Sequence, residues 1–126
     1  MNNISHYYNR LDILNETAQQ IIKDFGMNGM EIKFSGNADN AYSELFSQIH
    51  SHIDEMLKHT NSPLHWRGVG GEAFYNLMYR IDISESQIKK AVEESKDKSF
   101  SEVVTDLILK RELLKVITRR SFSNNL

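Results

Sequence analysis

Three side chains in "HSHIDEMLKH" (50–59) have the types and spacing of a metal site. His52, Glu55 and His59 stand at i, i+3 and i+7, which on a helix places two imidazoles and a carboxylate within about 60° of one another. Such ligands suit zinc, iron or nickel. The set spans about 10 Å along the helix axis at 1.5 Å per residue, so one ion is reached by His52 with Glu55 or by Glu55 with His59, not by all three. A working site therefore needs a ligand from another helix, and His6 and His65 are the histidines that remain to supply one. HExxH and E-x-x-H patterns are absent, and a polar seam between helices is the competing reading of the same stripe.

A second constellation is "GVGGEA" (68–73), which fits the letter of G-x-G-x-x-A. A dinucleotide turn needs a buried strand before the first glycine and an acidic residue about 20 positions further on. The lead-in here is "NSPLHW", with a proline and no branched apolar run; Asp82 stands too near and Glu93 lies beyond the next turn. A phosphate loop fails for want of Gly-Lys-Ser/Thr. What survives is an anion site: the bare backbone N–H groups of Gly70 and Gly71 at a helix start, beside Arg67, His65 and Trp66. Glu72 would meet the same helix dipole from within. The bland alternative is a connector whose glycines relieve steric constraint.

No further pattern points to catalysis. There is no G-x-S-x-G elbow, and neighbouring carboxylates such as Asp54–Glu55 or Glu93–Glu94 diverge by about 100° on a helix. The absence of cysteine excludes disulfides, thiolate chemistry and Cys-ligated zinc. An enzyme is not expected, and neither is a cofactor; a divalent metal is the alternative.

These residues must be positioned by helices. The apolar positions Ile4, Tyr7, Tyr8, Leu11, Leu14, Ala18, Ile21, Ile22 and Phe25 keep helical spacing, and Gly26 ends the run. Met30, Ile32 and Phe34 alternate briefly, so residues 30–35 are a structured loop or one short extended segment pairing across a dimer. Asn37 or Asp39 caps a second helix, to about His59, carrying Tyr42, Leu45, Phe46, Ile49, Ile53, Met56 and Leu57. A third follows through Ala73, Phe74, Leu77, Met78 and Ile81, with Tyr75, Tyr79 and Arg80 off its main stripe. Capping boxes then open two more: Ser84 with Gln87, braced by an Ile83–Ile88 staple, and Ser99 with Glu102.

The last helix is apolar on two sides. Phe100, Val103, Val104, Leu107, Ile108 and Leu114 form one stripe, while Leu109, Leu113 and Val116 fall on nearly the opposite one. Such a helix is either central in the fold or shared with a second subunit, and Leu109, Leu113 and Val116 are the candidate dimer interface.

In the C-terminal half, "NLMYRIDISESQIKKAV" (76–92) and "VTDLILKRELLKVITRRSF" (104–122) resemble a family of small, uncharacterised bacterial proteins found chiefly in Bacteroidetes. The shared features are "YRID" before a short helix and a final helix running through Leu107, Ile108, Leu109, Lys110, Arg111 and Glu112. The resemblance implies a bacterial, cytoplasmic setting and no particular activity.

The 126 residues carry 15 Lys+Arg against 17 Asp+Glu, a net charge of −2. Residues 110–126 hold five basic residues against one acidic, a basic end on an acidic body. Cations in the last turns of a helix are favoured by its dipole. Nucleic-acid binding through Lys110, Arg111, Lys115, Arg119 and Arg120 would require a broader basic face, and a sequence pI near 6.2 argues against it. No apolar run is long enough to span a membrane, and the N-terminus does not read as a signal peptide. The expectation is a single all-α domain over residues 1–126: a compact bundle of about five helices, cytoplasmic and homodimeric, acting through packed helix faces.

Overall fold

The computed structural model describes residues 4–26, 31–58, 72–124 and 126. Five α-helices carry the fold: α1 (Leu11–Phe25), α2 (Ala41–Leu57), α3 (Glu72–Ile81), α4 (Glu85–Glu94) and α5 (Phe100–Phe122). Single 3-10 turns occupy Ile4–Tyr7 and Ala38–Asn40. The protein is all-α, with no strand among the described residues.

Local chemistry sets most of the boundaries. Gly26 takes the left-handed conformation (φ 67°), and its N–H reaches the carbonyls of Ile22 and Lys23, ending α1. At α4 the box closes in both directions: Ser84 N–H donates to Gln87 Oε1 at 2.7 Å, and Gln87 N–H donates to Ser84 Oγ at 3.2 Å. Ile83 and Ile88, the staple pair, are both buried. Ser99 and Glu102 repeat the box at α5, with 3.0 and 3.2 Å bonds. Between α3 and α4 Asp82 adopts φ 69°, and Ile83 N–H bonds the Met78 carbonyl at 2.9 Å while Asp82 N–H bonds Tyr79. That pair of bonds is a Schellman stop, which leaves Ser84 free to cap the next helix.

The first helix departs from its periodicity. The apolar spacing runs unbroken from Ile4, yet the chain makes a 3-10 turn, leaves helical geometry at Arg10 (φ −98°, ψ 92°) and starts α1 at Leu11. Tyr8 stacks on Tyr42 of α2, with ring centroids 3.8 Å apart and planes 12° from parallel. A stacking partner distant in sequence lies outside what periodicity can register.

Residues 31–35 are a connector and not a strand. The unpaired backbone of an isolated extended segment is met by side chains of α2. Lys33 N–H donates to Gln48 Oε1 at 2.9 Å, and Gln48 Nε2 donates back to the Lys33 carbonyl at 2.8 Å. A glutamine amide thus plays the part of a neighbouring strand's peptide group. Ser35 N–H donates to Glu44 at 3.1 Å, and this contact holds the Glu44 carboxyl below its ordinary range.

The chain packs as two compact units, one formed by Met1–Gln48 with Leu109–Leu126 and the other by Ile49–Ile108. Both boundaries fall inside helices, α2 and α5, where no linker composition marks them. The first unit buries Ile13, Leu14, Ala18, Ile21 and Phe25 of α1, Ala41 and Leu45 of α2, and Leu109, Leu113 and Val116 of α5. The second buries Ile49, Ile53, Phe74, Leu77, Met78, Ile81, Ile88, Val103, Val104 and Ile108. Phe74 lies against Phe100 in the second unit, at 6.0 Å between ring centroids.

Helix α5 resolves the question of its two apolar sides. Leu109, Leu113 and Val116 are 0%, 1% and 0% exposed within the single chain. They are core side chains of the single chain, which favours the central helix of the two readings the sequence left open over a subunit interface. At 100° per residue the centre of the buried arc moves by roughly 90° between the 101–108 and 109–116 segments. One buried face that travels around the helix reads in sequence as two faces.

Candidate functional site

The predicted metal stripe is only partly visible. His52 is half-buried on α2, and that burial lowers its pKa against the weaker opposing pull of Glu55. Glu55 is exposed and pairs with Lys58 at 3.0 Å. His59 lies outside the described residues, as do Arg67, Gly70 and Gly71 of the anion reading and the histidine at position 65. Among the described residues no group of three His, Asp or Glu side chains is placed to hold a metal ion.

The neighbouring histidine makes the firmer contacts. His50 Nε2 meets Ser101 Oγ at 2.8 Å and Asp54 Oδ2 at 3.5 Å. Serine, histidine and aspartate are the residue types of a nucleophilic triad, and sequence reading did not single them out. Geometry decides against that chemistry. A triad needs the hydroxyl and the carboxylate on opposite ring nitrogens, whereas here both approach Nε2. Ser101 is also buried, and its carbonyl accepts from Thr105 Oγ1 at 2.7 Å. The cluster joins α2 to the first turn of α5 inside the second unit.

The basic end is similarly committed. Lys115 Nζ donates to Asp24 at 3.0 Å, Arg119 to Glu16 at 2.7 Å and to Gln20 at 3.0 Å, and Arg120 to Glu16 at 2.8 Å and Asp12 at 3.0 Å. Arg10 adds a second guanidinium on Asp12. Asp12 is held well below the usual carboxylate range, first by Arg10 and then by Arg120 against the opposing effect of burial. Glu16 is lowered by its hydrogen bond from Arg119, again against burial and with Arg120 assisting. Three of the five cations that read as a basic end, Lys115, Arg119 and Arg120, are therefore matched by an acidic row on α1.

Among the hollows that open on the first unit, two lie against its 3-10 turn at Ile4–Tyr7. One, of about 570 Å³, lies beside the Tyr8–Tyr42 stack and is rimmed by Ser5, His6, Asn9, Asp39 and Ser43. The other, of about 310 Å³, lies between the 3-10 turn and the end of α5 and is walled by Ile4, Tyr7, Leu114, Ile117, Phe122 and Leu126. Thr118 and Ser121 put hydroxyls at its edge. Phe122 is 87% exposed and Leu126 50% exposed, two of the three large apolar side chains left in water among the described residues. The third is Tyr79, which sequence reading placed off the main stripe of α3.

An apolar groove with a projecting ring is what single-chain packing leaves when one helix end is not covered. It was not legible in the sequence, because Leu114 is an ordinary stripe residue until the fold shows which ones are covered, and Phe122 lies beyond the stripe. Among the described residues no helix is long and apolar enough to cross a membrane. Comparison with known proteins finds no matching family model, no significantly similar curated protein and no significantly similar solved structure.

Proposed function

We propose that the chain is a small, non-enzymatic helical interaction module of the bacterial cytoplasm that self-associates through the groove at the end of α5. The observation that carries this reading is Phe122, 87% exposed on the rim of an apolar hollow of about 310 Å³. A projecting knob and a hollow on one patch are what a two-fold interface requires, since each subunit offers the same surface to the other. Phe122 of each copy enters the hollow walled by Leu114 and Ile117 of its partner. Burying one phenylalanine side chain is worth about 2–3 kcal/mol, and symmetry doubles it. Ordering and association costs leave a weak-to-moderate dimer from such a patch.

Phe122→Glu tests this reading. The substitution replaces the knob with a charge that has to be desolvated in the complex, while in the free chain the position faces water. Wild-type protein should dimerise in sedimentation equilibrium as its concentration rises into the micromolar-to-millimolar range, and the variant should remain monomeric with an unchanged helical circular-dichroism spectrum. A wild-type chain that stays monomeric throughout, or a variant that dimerises equally well, rejects the proposal.

A further inference from the structure

Glu112 is the most anomalous side chain in the first unit. It is 0% exposed on α5, in the stretch that also buries Leu109, Leu113 and Val116. Neither carboxyl oxygen receives a hydrogen bond from any donor. Its closest cation is Lys115 Nζ, 3.5 Å from Oε1, and that ammonium lies nearer to Asp24 Oδ2, at 3.0 Å. An ionised carboxylate in this position has exchanged water for almost nothing.

A proton on Glu112 resolves the arrangement. The neutral acid gains an O–H donor, and the Asp24 carboxylate lies within its reach. Asp24 already accepts from Gln20 at 3.0 Å and from Lys115. Charge balance points the same way. Ionised Asp24 with Lys115 is neutral, whereas adding an ionised Glu112 leaves one net negative charge, carried by the one side chain of the three that water does not reach. Two adjacent carboxyl groups sharing one cation do not both ionise readily.

We propose that Glu112 and Asp24 form a shared-proton pair joining α5 to α1, with Glu112 carried as the neutral acid, and that the first unit becomes less stable as rising pH makes this proton costlier to retain. The proton passes to solvent base, and the pair is left as two carboxylates on one lysine. Burial first, and then the hydrogen bond to Asp24, push Glu112 up to about 8. Asp24 moves the other way: burial opposes its ionisation, but the hydrogen bonds from Glu112, Lys115 and Gln20 outweigh it. Among the described residues, Asp24 and Lys115 are the charged groups that act on Glu112. Arg119 and Arg120 are engaged by Glu16 and Asp12, and the carboxylate that α2 brings to this unit, Glu44, accepts from Ser35 N–H.

The sign follows from linkage. A carboxyl whose folded pKa is raised binds its proton more tightly when folded, so stability falls as pH rises from the ordinary carboxylate range to about 8 and then levels. Within that window one such group changes the folding equilibrium by up to about tenfold per pH unit. His52, whose pKa is lowered by burial, acts with the opposite sign near neutrality and belongs to the other unit.

The test is a carbon-13 titration of the Glu112 carboxyl in the full chain, together with denaturant melts of wild type and Glu112→Gln from pH 5 to 9. Expected are a Glu112 midpoint far above the ordinary carboxylate range and a wild-type stability that declines with pH. Glu112→Gln, whose amide can still donate to Asp24, should lose that decline and exceed wild type at pH 9. Asp24→Asn should bring the Glu112 midpoint down. A Glu112 midpoint in the ordinary range overturns the proposal, as does an unchanged decline in Glu112→Gln. Should Glu112→Gln not fold, the wild-type titration and the Asp24→Asn shift decide, and a midpoint unmoved by Asp24→Asn refutes the pairing.

Discussion

Leu113→Ala separates a core helix from an interface helix. Leu113 is 1% exposed within one chain, flanked on the same arc by Leu109 and Val116 at 0%. Truncating a fully buried leucine removes its transfer free energy and leaves a cavity, at a cost of about 3–5 kcal/mol where the surroundings do not collapse. For a chain of this length each kcal/mol moves the melting temperature by roughly 3–5 °C, so a fall of about 10 °C or more is expected. The assay is thermal unfolding followed by circular dichroism over a hundredfold range of protein concentration. A core residue lowers the melting temperature by the same amount throughout, because the missing contacts are made within one chain. An interface residue lowers it only where the dimer is populated, since association stabilises by mass action. A Leu113→Ala protein within about 0.5 kcal/mol of wild type when dilute, yet impaired in association, would falsify the assignment of Leu109, Leu113 and Val116 to the core.

Other consequences are local. Arg120 pairs with Glu16 and Asp12 and is mostly buried, so Arg120→Ala should cost about 1 kcal/mol at low salt and less at high salt. Because Asp12 and Glu16 are held below their unfolded values, their contribution is present at neutral pH and is lost as pH falls through and below the ordinary carboxylate range. Denaturant melts between about pH 6 and 2 should therefore show a shallower acid loss in Arg120→Ala than in wild type; equal slopes contradict this account. At the α3–α4 turn, Ser84→Ala removes the acceptor for Gln87 N–H and should cost about 1 kcal/mol in chemical denaturation, with no measurable effect disproving the cap.

Helix positions were largely legible because the forces that set them act within a few residues. Ser84 and Gln87, Ser99 and Glu102, and Gly26 each satisfy backbone groups at a helix end through partners three or four positions away. The break before Leu11 was not legible, since it accompanies a ring stack with Tyr42. Nor was the identity of residues 31–35, whose backbone is satisfied by Gln48 from fifteen positions on. The candidate sites were read less well. The histidine stripe emphasised His52, whereas His50 is the one joined to Ser101, 51 positions distant. The basic end read as compensation of its own helix dipole, and Arg119 and Arg120 in fact meet carboxylates 103 to 108 positions earlier.

By itself, then, the sequence determined an all-α chain and where most of its helices start and stop, because capping and apolar periodicity are short-range. Tertiary structure decided which side of each helix is dry. It turned Leu109, Leu113 and Val116 inward, left Phe122 in water and enclosed Glu112 beside Asp24. Desolvation and ion pairing depend on what arrives from far along the chain. The same residue types at the same spacing can therefore be core, clasp or surface until the helices meet.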